Sequence, residues 1–307
     1  MSAPSRGLSW LVLGANGQVG RQLARALQPL GEGQALSRAQ CDLSQPGEAA
    51  RVVRDHSPAV LVNAAAYTAV DRAEDEPVLA GRLNGEAVAE LSEACAASGA
   101  VLVHYSTDYV FDGQGRHFFR PEDIPAPLSV YGKTKLAGEQ AIQQSGVRHL
   151  ILRTSWVYDA TGHNFVNTML RLATERDHLR VVSDQIGAPT WAATIADTTA
   201  LAVHAWACSG FDAERGGIYH LCSRGETSWY GFAEAIFDKA VALGQLEAEE
   251  IPEIEAIPSS EFPQKAPRPH NSRLDVSRLE SAFSLRLPHW QEALRQCLSQ
   301  GPTRHNS

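Results

Sequence analysis

The chain has 307 residues, is 44% hydrophobic and carries a formal charge of -8 at pH 7. It has room for one large or two medium domains with a real core, and it lacks the basic balance of a protein that grips a phosphate backbone, so a nucleic-acid partner is not expected. Five cysteines (Cys41, Cys95, Cys208, Cys222, Cys297) are odd in number, widely spaced and free of any Cys-x-x-Cys pair, which predicts reduced thiols and a cytoplasmic setting rather than a disulfide frame or zinc site.

Residues 1–6 run straight into a short apolar stretch, too short for the core and cleavage site of a signal peptide. No segment approaches the ~18 apolar residues of a membrane span. Residues 9–13 (Ser-Trp-Leu-Val-Leu) read as a buried strand. The turn Gly14-Ala15-Asn16-Gly17-Gln18-Val19-Gly20 then leads into a helical pattern over 21–30. Its glycines form Gly-x-x-Gly-x-x-Gly, where missing side chains let the backbone approach a pyrophosphate at a helix N-terminus. A plain tight turn is the alternative.

The second strand is expected to end near Ala35-Leu36, and the next residues are Ser37-Arg38 instead of the carboxylate that binds a ribose 2′-hydroxyl. This favours NADPH, with NADH still open because an arginine there also suits an ordinary surface. Asp42-Leu43 suits an adenine contact. Asn63-Ala64-Ala65-Ala66 places small residues after the apolar run 60–63, where a ribose can pass close to the backbone; small residues also simply pack well.

Further apolar runs at 101–105 and 149–152, separated by helix-like stretches such as 87–98, predict a parallel sheet covered by helices. Ser106-Thr107-Asp108-Tyr109 comes directly after the 101–105 run, so its polar groups fall at a strand's carboxyl end, where ligands sit in open α/β sheets. Thr107 can donate a hydrogen bond to a carbonyl, or cap a turn together with Asp108. In Ser129-Val130-Tyr131-Gly132-Lys133-Thr134-Lys135, helical spacing puts Tyr131 and Lys135 on one face. An unperturbed phenol titrates near ~10 and stays protonated at neutral pH, ready for an oxygen that becomes negative. Thr107, Tyr131 and Lys135 together match the hydroxyl, tyrosine and lysine arrangement of the short-chain reductases. No His-Glu-x-x-His pattern competes, and His104 reads as a packed strand residue rather than a ligand.

Beyond residue 160 the pattern changes: a helix near 165–175, a Pro-containing segment 184–190, a helix over 192–207, and a strand at 217–222 returning to the main sheet. Helix candidates at 229–242 and 290–298 flank a proline-rich stretch, 257–269. The expected architecture is α/β, a Rossmann-type doubly wound parallel sheet with a smaller α+β C-terminal substrate domain. Residues 1–160 plus about 193–223 form the dinucleotide-binding part; about 161–192 plus 224–307 form the nucleotide-sugar part. Residues 301–307 read as a frayed polar tail.

The chain resembles the dTDP-4-dehydrorhamnose reductases over nearly its whole length. The resemblance rests on GANGQVG (14–20), NAAAYTAVDRAEDEP (63–77), HYSTDYVFDG (104–113), YGKTKLAGEQ (131–140), RTSWVY (153–158), DQIGAPT (184–190) and RPHNSRL (268–274). It implies hydride transfer to the C4 carbonyl of the dehydrorhamnose ring, with Tyr131 as proton donor, Lys135 holding the nicotinamide ribose and tuning the phenol, and Thr107 binding the reacting oxygen. Gly17, Gln18, Val19, Asp42, Leu43, Ala66, Tyr67 and Thr68 would line the cofactor. Thr68, Val70, Thr107, Asp108, Tyr109 and Trp156 would face the sugar. Arg268, Asn271, Ser272 and Arg273 have the charge and donors to hold phosphate oxygens, and could equally be domain-interface residues.

Some members of the family are magnesium-linked dimers that use glutamates near the first helix and after the Gly-Ala-Pro-Thr segment. Here those neighbourhoods read Arg21-Gln22 and Trp191-Ala192-Ala193, without the carboxylates a hard cation needs. No metal is expected, and the expected state is a monomer or weak homodimer. Another nucleotide-sugar ketoreductase or epimerase, or a non-catalytic regulatory subunit of the methionine adenosyltransferase type, are the alternative readings.

Overall fold

The computed structural model describes residues 7–300; the 301–307 tail and residues 1–6 lie outside them. Six strands form one parallel sheet. From one edge to the other they are Gly33–Leu36, Trp10–Leu13, Val60–Asn63, Val101–Thr107, His149–Thr154 and Gly217–His220. Trp10–Leu13, Val60–Asn63 and Val101–Thr107 are buried at every position, because helices cover both faces; this is why they read as continuous apolar runs instead of alternating ones.

Successive strand residues feed opposite faces. Val12, Val62, Val103 and Leu152 pack with Leu23, Ile195, Val203 and Trp206 on one side. Leu11, Leu61, Leu102 and Ile151 pack with Val52, Val88, Leu91 and Ile142 on the other. The chain crosses over between its first and third strands, so connections on either side of the first strand leave in opposite directions. That switch point opens a crevice at the strands' carboxyl ends.

A separate core gathers Tyr158, Val166, Met169, Trp191, Phe232, Phe237, Trp290 and Leu294. Its helices are Phe165–Ala173, Trp229–Ala242 and Trp290–Leu298. Ser228 starts the second of these by accepting the Gly231 N–H at 3.0 Å, an N-cap of ordinary kind.

Two elements differ from the expectation. The first helix runs Gln18–Ala26 and is succeeded by a 3₁₀ turn, Gln28–Leu30, because Pro29 has no N–H to continue the α ladder. Glu253–Ile257 is a strand paired in parallel with His178–Val182. None of the described helices is long and apolar enough to cross a membrane.

Candidate active site

The glycine turn after the first strand is shaped by backbone crowding. Gly14 has φ +87°, a left-handed conformation that costs glycine little, and a Cβ there would lie 2.8 Å from the Ala65 nitrogen. A Cβ on Gly20 would sit 2.0 Å from the Gly14 carbonyl oxygen, so Gly20 lets the helix pack under the turn. Gly17 is the N-cap residue and supplies no side-chain cap; the first-turn N–H groups keep the free hydrogen-bonding capacity of any helix start.

The crevice above the sheet is a cavity of about 840 Å³, within the size range of cofactor and substrate pockets. At one end its wall contains Gly14, Asn16, Gly17, Gln18 and Val19, then Arg38, Asp42 and Leu43. Ala65, Ala66 and Thr68 come from the loop after the third strand. At the other end stand Thr107, Asp108, Tyr109, Tyr131 and Lys135, with Val70 and Trp156 beside them. Ser106, Thr154 and His163 also line it; the first two occupy strand ends, the signal that could have found them.

Several of the expected residues are outside this wall. Gly20 lies behind the turn. Tyr67 gives its hydroxyl to Glu76 Oε2 at 2.7 Å. Asn271 donates from Nδ2 to the His117 carbonyl at 2.8 Å, and Ser272 is buried, its N–H donated to the Ile186 carbonyl at 2.7 Å. Arg268 donates to Asp71 Oδ2 at 2.7 Å, rests 5.9 Å from the Tyr109 ring centre and keeps a buried Nη1 with no hydrogen-bond partner among the described residues. Arg273 spends its charge on Glu226, 2.6 Å away.

At the glycine end the residues fit a dinucleotide phosphate: a cradle without side chains, a helix N-terminus, and a cation where the second strand ends. Arg38 is three-quarters exposed and 3.3 Å from Asp42. Hydrogen bonds from Ser44 hold the Asp42 carboxyl below its ordinary range, so the carboxylate beside Arg38 stays charged at neutral pH.

Tyr131 and Lys135 lie on the helix Val130–Gln144, which Ser129 caps by accepting the Gly132 N–H at 3.1 Å. Burial pushes the Tyr131 phenol up to about 12, opposed by a hydrogen bond with Thr107, while the Asp108 charge adds to the rise. Thr107 Oγ1 donates to Asp108 Oδ1 at 3.0 Å and accepts the Tyr109 N–H at 3.2 Å. Burial raises Asp108 to about 6 against its hydrogen bonds with Ser272 and Thr107. Lys135 Nζ donates to the Tyr105 carbonyl at 2.6 Å, and burial lowers it to about 8, with Glu139 opposing. The arrangement joins a protonated phenol, a hydroxyl and a buried amine in one crevice.

Trp156 has φ +48°, unusual for a bulky residue. Its ring stacks on Trp229 with centroids 3.7 Å apart and planes 11° apart, and a Cβ on Gly187 would fall 2.8 Å from it. The absence of a side chain at Gly187 therefore gives the indole its place in the wall. The Arg21-Gln22 and Trp191 neighbourhoods meet at buried Asp159, which accepts from Gln22 Nε2 and from Trp191 Nε1, each at 3.1 Å, and pairs with Arg21 at 3.6 Å.

The family described as RmlD substrate binding domain matches residues 9–302. A dTDP-4-dehydrorhamnose reductase of Salmonella typhimurium is 47% identical over 294 residues, covering 94% of this chain and 97% of that protein. One from Burkholderia thailandensis is 46% identical over 292 residues, with the same two shares. The crystal structure of a dTDP-4-dehydrorhamnose reductase from Bacillus anthracis, in complex with NADP, superposes with a TM-score of 0.86 at 33% identity, over 96% of this chain and 99% of that one.

Proposed function

The chain belongs to the dTDP-4-dehydrorhamnose reductase family, and from that premise we propose that it reduces dTDP-4-dehydro-L-rhamnose to dTDP-L-rhamnose with NADPH, Tyr131 supplying the proton. The observation that carries the reading is the single crevice that joins the glycine cradle of Gly14 and Gly17 to Thr107, Tyr131 and Lys135. NADPH, when bound, supplies the hydride that adds to the C4 carbonyl carbon.

Gly14, Asn16, Gly17, Gln18 and Val19 hold the pyrophosphate; Gly20 permits their turn. Arg38 receives the 2′-phosphate, Asp42 and Leu43 border the adenosine, and Ala65, Ala66 and Thr68 border the riboses, with Tyr67 behind them on Glu76. Thr107, turning its hydroxyl away from Asp108 Oδ1, donates a hydrogen bond to the C4 oxygen and holds it near the phenol. As negative charge develops there, Tyr131 gives up its proton; the alkoxide is a stronger base than a phenolate, so the transfer runs downhill. Lys135, protonated and directed to the nicotinamide ribose, stabilises the phenolate left behind.

Trp156, Val70, Asp108 and Tyr109 shape the sugar subsite. Arg268, whose buried Nη1 has no hydrogen-bond partner among the described residues, is the cation we assign to the diphosphate, with Asn271 and Ser272 near it in the chain behind the wall. We assign residues 1–160 plus about 193–223 to the cofactor domain and the remainder to the nucleotide-sugar domain, in a cytoplasmic protein that works as a monomer or weak homodimer. The test is NADPH consumption by the intact protein with dTDP-4-dehydro-L-rhamnose, with dTDP-L-rhamnose formed in equal amount. No turnover across pH and with either NADPH or NADH would sink the assignment.

A further inference from the structure

His104 stands on the fourth sheet strand with its ring wholly buried, behind Lys135 and outside the cavity wall. Both ring nitrogens are engaged. Asn63 Nδ2 lies 3.1 Å from Nδ1, and Lys135 Nζ lies 3.1 Å from Nε2. The Asn63 amide has one consistent orientation: Oδ1 accepts the Ala65 N–H at 3.1 Å, which turns Nδ2, able only to donate, toward the ring. His104 Nδ1 is therefore the acceptor, and the neutral imidazole carries its proton on Nε2. That proton points at Lys135. A neutral amine accepts it through its lone pair, whereas an ammonium has no lone pair and meets it as a second donor.

We propose that Asn63 and His104 are positioning residues that favour the uncharged amine of Lys135 in the free protein, so that NADPH binding draws a proton from solvent onto Nζ and turns the ammonium toward the cavity. This rests on the reading that the nicotinamide ribose lies at Lys135. Ribose hydroxyls offer the acceptor oxygens that the Nε2–H of His104 withholds.

The surroundings support that bias. Burial holds the His104 ring well below its ordinary range, and so neutral; burial draws Lys135 down to about 8. On the lysine's own helix, Glu139 is paired with Arg153 of the next strand, and Tyr131 stays a neutral phenol. On the strand beneath, burial likewise keeps Tyr105 neutral. Asp108, on the turn after that strand, acts on Tyr131. Glu74 accepts the Val130 N–H at the start of the helix, and the group that reaches the helix from residues 82–86 is the uncharged Asn84 amide, on Thr134.

The test is calorimetric titration of NADPH into the intact protein at about pH 9, where the cofactor's phosphates are fully ionised, in two buffers of different ionisation heat. The natural sequence should take up most of a proton, and its affinity should fall about fivefold between pH 8 and 9. His104→Phe removes the opposing N–H, and Asn63→Asp accepts a hydrogen bond from Nδ1–H and so reverses the tautomer; each should cut the uptake by half or more and flatten the pH dependence. NADPH binding without proton uptake by the natural sequence overturns the proposal. So does His104→Phe with a lowered Tm and undiminished uptake, which would assign His104 to packing alone. Failure of the natural sequence to bind NADPH at all overturns the functional reading beneath it.

Discussion

Arg153 in the fifth sheet strand and Glu139 in the helix that carries Tyr131 and Lys135 form a bidentate ion pair, with Nε to Oε1 at 2.9 Å and Nη2 to Oε2 at 2.6 Å. Both side chains are almost wholly buried. Arg153 also donates to the Pro121 carbonyl at 3.2 Å and lies 5.0 Å from the Phe111 ring centre. The pair ties the proposed proton-delivery helix to the sheet. Glu139→Ala leaves an uncompensated buried guanidinium, which costs about 3–5 kcal/mol. Denaturant unfolding should show that loss as a lower midpoint.

Arg38 is the cation at the end of the second strand, paired with Asp42 among the described residues and largely exposed. A hydrogen bond to a charged group contributes about 1.5–3 kcal/mol. Arg38→Ala should therefore weaken NADPH binding by roughly tenfold to a hundredfold and leave NADH binding nearly unchanged. Fluorescence titration of the two cofactors measures the ratio; equal losses for both would remove the 2′-phosphate role.

Lys135 makes the stability of the cofactor-free protein depend on pH. Its amine is lowered from an ordinary 10.5 to about 8 by burial, so between those values the unfolded chain binds a proton that the folded chain does not. Stability then rises with pH through that window, and the gain is absent below about pH 8. Relative to Lys135→Met, the rise should reach roughly 3 kcal/mol. Chemical unfolding of both proteins at pH 7.5 and 10 reads the difference in slope.

Much of this was legible in the sequence because the signals are local. The buried strands are apolar without interruption, and Gly14, Gly17 and Gly20 sit where a strand hands over to a helix. The helix candidate at 229–242 is reproduced at Trp229–Ala242. The features that escaped such reading depend on distant partners. Glu253–Ile257 is mostly exposed and becomes a strand through pairing with His178–Val182. The same holds for charge. Arg273 looked available for phosphate, yet Glu226 occupies it, and Arg268 is half-occupied by Asp71. His104 read as a packed strand residue; no local pattern reveals that its ring joins Asn63 to Lys135.

The proton-delivery role of Tyr131 is the centre of the account, and the direct measurement is single-turnover reduction of dTDP-4-dehydro-L-rhamnose by the natural sequence and by Tyr131→Phe, with NADPH affinity determined for each. Loss of a positioned general acid slows the chemical step by about 10²–10⁴-fold. The account predicts a loss of that size with NADPH affinity little changed; equal rates for the two proteins would contradict it.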